Sequence, residues 1–109
     1  MIKDQYCPVL VSGVKREPAG YEVRVLEEGL GVKGRCNRDL DWLMGLCDGQ
    51  HTVAGIVAEV DRRYGSHPEN RRKVVDTLEF LKLLGLVELF DSGERVDPAR
   101  LRRSVHKGG

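Results

Sequence analysis

Apolar and polar residues change rhythm once along this chain, near Asn37, and that change divides an extended N-terminal part from a helical remainder. Val9 to Glu17 is rich in β-branched residues and ends at the turn signal Pro18-Ala19-Gly20. Tyr21-Glu22-Val23-Arg24-Val25-Leu26 then alternates polar and apolar with period two up to Val25, so the two runs predict a hairpin. Glu27-Glu28-Gly29 turns the chain again, and Leu30 to Cys36 predicts a third, short strand. Its glycines weaken its register and suit it to a sheet edge.

From Asn37 the period becomes that of a helix, with Asn37 or Asp39 as cap and Leu40, Leu43, Met44 and Cys47 on one face, which Trp42 and Leu46 widen. A second helix, Thr52 to Tyr64, carries Val53, Ile56, Val57, Val60 and Tyr64 as its apolar stripe and stops at Gly65. A third has Pro68 in its first turn and runs through Val74, Leu78, Leu81 and Leu84 to Gly85. Leu86 to Phe90 is a last extended piece. Between the first two helices, Leu46 to Val53 reads as the hinge of a helix-turn-helix, with Gly49 just past one helix and Thr52 capping the next. The fold class predicted is α+β: an N-terminal three-stranded antiparallel sheet followed by three helices, winged helix-turn-helix-like.

Length and charge refine this picture. The 109 residues are enough for one domain, assigned to 1–90, with 91–109 as a basic tail in which Asp97-Pro98 can start a short helix through Val105. The net charge of +1 is uneven, because the tail holds five Lys/Arg against three Asp/Glu. A near-neutral body argues against nucleic acid as partner. No apolar run reaches the length of a membrane span, and the N-terminus lacks the apolar segment of a secretory signal, so a cytoplasmic location and no membrane partner are expected. Three cysteines at wide spacing fit neither a disulfide framework nor a zinc knuckle.

Candidate chemistry is sparse. Gly29 to Gly34 spells GxGxxG after a predicted strand, but no helix begins within it and no parallel strand follows, so a dinucleotide is not expected. Cys47 and His51 are four apart with a turn between them, and Cys47 reads as a core residue. Trp42 reads as core, with a partner-anchoring role as the alternative. Arg71-Arg72-Lys73 opens the third helix, which would enter the major groove in a DNA-binding protein of this shape. No catalytic group, cofactor site or metal site is expected.

Several short segments, taken jointly in order, resemble a known family: Arg16 to Gly20, Asn37, Leu46-Cys47-Asp48-Gly49, Thr52-Val53, Ile56-Val57, Arg63-Tyr64-Gly65, Leu81, and Gly85-Leu86-Val87. Across about residues 8–90 the chain resembles the PqqD-like proteins, also called RiPP recognition elements. The resemblance implies a non-catalytic chaperone that binds the leader of a ribosomally made precursor peptide and presents it to a modifying enzyme, commonly a radical SAM enzyme, as in pyrroloquinoline quinone biosynthesis. It also implies that the leader adds as a strand to the third strand, at Leu30, Gly31, Val32, Lys33, Gly34 and Arg35. The third helix would contribute Arg71, Val75, Leu78, Glu79 and Lys82. An exposed edge strand offers unpaired N–H and C=O groups to any extended peptide, which makes the expectation physically sound. The competing expectation is a winged-helix DNA-binding regulator using the third helix and the basic tail. A flexible edge also permits strand exchange between copies, hence a homodimer.

Overall fold

The computed structural model describes residues 2–27 and 31–96, with the backbone alone at 27 and 31–33. Nine elements follow in order: β1 (Cys7–Leu10), β2 (Val14–Ala19), β3 (Glu22–Glu27), β4 (Gly31–Asn37), α1 (Arg38–Gly45), α2 (Val53–Tyr64), α3 (Asn70–Leu83), β5 (Val87–Asp91) and β6 (Glu94–Arg95). The fold is α+β, with the antiparallel sheet β2-β3-β4 preceding three helices. The hairpin β5–β6 after α3 occupies the place of a wing.

The run from Val9 to Glu17 is not one strand. Gly13 takes φ +93° and the Val14 N–H donates to the Val11 carbonyl, so the chain turns at Val11 to Gly13 and delivers its two halves to different sheets. β2 stays with β3, pairing Val14 with Glu27 through to Ala19 with Glu22. β1 instead crosses the molecule to pair with β5, Cys7 against Phe90 and Leu10 against Val87, in a second sheet of order β1-β5-β6.

The free side of β1 is closed by the corner between α1 and α2. Helix α1 ends earlier than its apolar period suggests, at Gly45, and the segment after it runs beside β1, with Asp48 bridged to Val9. The Leu10 N–H donates to the Cys47 carbonyl at 2.9 Å, and the Gly49 N–H donates to the Pro8 carbonyl at 3.2 Å. Gly49 is therefore no helix cap. It has φ +79°, and a Cβ there would lie 3.3 Å from the Val9 side chain, so glycine suits the position on both counts. Asp48 completes the turn by accepting from the Gln50 and His51 amides.

Both predicted caps form. Asn37 accepts from the Leu40 amide at 2.8 Å, and Thr52 accepts from the Gly55 amide at 3.0 Å. Two further amides of α2 are taken by the N-terminal segment, Val53 by the Tyr6 carbonyl and Ala54 by the Asp4 carbonyl. Gly65 and Gly85, at φ +99° and +78°, end α2 and α3.

The core lies between the two sheets and the helices. It draws Val23, Val25 and Cys36 from the first sheet, Met44 and Cys47 from around α1, Ile56 from α2, Leu78 and Leu81 from α3, and Leu89 from β5. Beyond residue 90 the chain remains part of this body. The expected boundary at 90/91 falls inside the β5–β6 hairpin, and Val96 beyond it is buried, with its N–H on the Leu89 carbonyl at 2.7 Å. The helix expected from Asp97 lies outside the described residues.

Candidate peptide-binding edge and groove

β4 is the outermost strand of its sheet, paired on one side with β3 and on the other with no strand among the described residues. Its pairing steps from Val25–Gly34 to Leu26–Val32, which leaves Lys33 as an extra residue without a partner on β3. The opposite edge, β2, is protected differently: it holds Pro18, and Lys15 to Ala19 are all exposed, a composition that discourages strand addition. β4 carries Lys33, Arg35 and a bulge, which also discourage pairing, so it differs from β2 chiefly in holding no proline. Leu30 lies outside the described residues.

At its end β4 delivers Asn37 to the mouth of a groove of about 700 Å³ bounded by α1, the end of α2 and α3. Leu40 and Leu43 come from α1, Val60 and Tyr64 from α2, and Val74 and Phe80 from α3, so the lining is mostly apolar. Lys73, Asp76 and Thr77 add polar groups along the α3 side. Buried Asn70 fixes the start of α3 against the end of α2, donating to Asp61 Oδ1 at 2.7 Å and to the Gly65 carbonyl at 3.0 Å.

The α2 end of the groove is an aromatic and charged cluster. Trp42 and Tyr64 meet edge to face with centroids 5.8 Å apart. The Tyr64 hydroxyl donates to Asp39 Oδ1 at 2.7 Å and accepts from Arg63 Nε at 3.1 Å, and the Arg63 guanidinium stacks 4.7 Å from the Trp42 centroid. Trp42 is consequently half-buried, and Tyr64, predicted on the apolar stripe of its helix, is 53% exposed.

The α3 residues expected beside a leader divide by helix face. Leu78 is fully buried in the core, and Val75 packs against that core. Arg71 pairs with Asp4 at 2.7 Å, while Glu79 is exposed and Lys82 partly so. None of these five lines the groove, which instead receives Lys73, Val74, Asp76, Thr77 and Phe80. An apolar period identifies the core stripe of a helix but not which flank meets a neighbour. The one available signal was Phe80, an aromatic lying off the Val74-Leu78-Leu81 stripe.

The remaining candidates lie outside the groove lining. Cys47 is buried, its thiol donating to the Leu43 carbonyl at 3.7 Å, and burial with the nearby Asp48 charge pushes its pKa up to about 12. Burial likewise raises that of Cys36. His51 is bonded through Nδ1 to Asp48, and not to Cys47. Gly31 to Gly34 lies in an antiparallel strand, not at a helix start. Among the described residues no group of three or more His, Cys, Asp or Glu is placed to hold a metal ion, and no helix is long and apolar enough to cross a membrane.

No protein family model, curated protein or solved structure matches the chain.

Proposed function

We propose that this protein is a non-catalytic peptide-binding chaperone that takes an extended segment, the leader of a ribosomally made precursor, onto β4 and into the adjoining groove. The observation that carries the reading is that Asn37, the last residue of the outer strand β4, also lines an apolar groove. Main-chain pairing at the edge would supply affinity, and side chains entering the groove would supply selectivity. A radical SAM enzyme is the proposed recipient of the bound precursor.

DNA binding is less well supported. Arg71 is paired with Asp4 and Arg72 with Glu69 at 3.0 Å, so two of the three cations opening α3 are engaged within the protein. The hairpin in the wing position carries Asp91 and Glu94 at its tip, which phosphates would oppose.

Lys33→Pro tests the reading. Having no partner on β3, Lys33 can be replaced without removing a paired ladder residue, and proline there removes a backbone N–H of the edge strand and fixes φ. Calorimetry with synthetic leaders encoded beside the gene is expected to show at least about a tenfold loss of affinity with the helical circular dichroism intact. Undiminished affinity in a folded variant would refute strand addition. Binding to duplex DNA that falls steeply with salt, with no peptide binding, would favour the regulator.

A further inference from the structure

We infer that the bound peptide carries an acidic residue next to a large apolar one, with the carboxylate held by Arg63 and the apolar side chain lodged in the groove. This rests on the peptide-binding reading and names the chemistry of its ligand.

Among the cations around this groove, Arg63 differs from Lys73 in being held by two aromatic rings. Arg16, Arg62, Arg71 and Arg72 each hold a carboxylate within 3.0 Å, so their charges are satisfied inside the protein. Arg63 has no ion pair among the described residues. Its guanidinium is nonetheless fixed in place, by stacking on Trp42 and by the Nε hydrogen bond to Tyr64, whose ring centroid lies 5.5 Å away. Both Nη groups remain available as a planar fork, the geometry that suits a carboxylate. Stacking and the Nε bond have already restricted the side chain, so less entropy is lost when an anion arrives.

The neighbours decide what else the ligand must carry. Trp42 and Tyr64 belong both to the Arg63 platform and to the groove lining, so an anion on Arg63 sits beside an apolar surface. Asp39 faces the same region but is engaged by the Tyr64 hydroxyl. Asp76 lies on the α3 side, beside Lys73, and neither forms an ion pair among the described residues. The complementary segment is therefore an apolar side chain seated among Leu40, Leu43, Val74 and Phe80, with Asp or Glu adjacent at the α2 end.

Selection from a random dodecapeptide library displayed on phage, against the full-length protein, tests this. Binders enriched in Asp or Glu adjacent to Phe, Trp, Leu or Ile are expected. A synthetic peptide from that pool should bind Arg63→Gln about tenfold more weakly at unchanged melting temperature, with Arg63→Lys intermediate. Replacing the peptide's acid by its amide should weaken binding to the native protein and have little further effect on Arg63→Gln. Binders lost in Lys33→Pro but without acidic enrichment, or undiminished by Arg63→Gln, would overturn the inference and leave the peptide reading standing. A selection that yields no binders would overturn both.

Discussion

Asp48 illustrates how one side chain can fix a corner without taking part in chemistry. Burial alone would raise its carboxyl pKa, but hydrogen bonds from the His51 ring and the Gln50 and His51 amides outweigh that and hold it below the usual carboxylate value. The group therefore contributes stability that is fully present above the ordinary carboxylate range, and that contribution is lost as pH falls through its depressed folded value. Its side chain is 41% exposed, so solvent screening limits the effect to about 1 kcal/mol or less. Chemical denaturation of native and Asp48→Asn protein across pH 6 to about 2 should show a stability gap that narrows with acid. A gap independent of pH would show that the charge is not what matters. Arg63 stands at the opposite extreme, since its side chain is held firmly while its charge is left unspent.

At the scale of elements, the helices were legible and the strand ends less so. Asn37 and Thr52 are capping residues ahead of apolar periods, and both cap as predicted. Thr52→Ala should cost about 1 kcal/mol in urea unfolding, with Thr52→Ser close to neutral, because only the hydroxyl oxygen bonds the Gly55 amide. Equal losses for both would point to packing of the threonine methyl instead. Val9 to Glu17 was misread because β-branched residues run through Gly13, whose positive φ alone marks the turn. The β5–β6 hairpin was missed although its signal is local: Ser92 and Gly93 both have positive φ, as a two-residue hairpin turn requires. The groove was the least legible feature. It depends on how α1, α2 and α3 converge, and residues such as Trp42 and Thr77 carry no periodic mark of that convergence.

Over the whole molecule, the N-terminal segment and the last hairpin complete a body that the central helices begin. Val96 is 1% exposed and closes the far end of the core. A chain ending at residue 91 should therefore be about 1.5–3 kcal/mol less stable than one ending at residue 96, as read by thermal or urea unfolding. Equal stabilities would place the end of the folded unit before β6.

The pairing of β1 with β5 also sets an order in time. Cys7 lies opposite Phe90, so β1 is made more than seventy residues before the strand it pairs with. The amides of Val53 and Ala54 need the Tyr6 and Asp4 carbonyls, so the start of α2 depends on that same early segment being held in place. Contacts between such distant parts of a chain form slowly, because a long loop must close before they return any energy. Sheet β2-β3-β4 contains only near neighbours in sequence and is complete by Asn37. During synthesis the β4 edge is thus made well before the groove beside it, and β1 is without its strand partner until β5 is complete at Asp91.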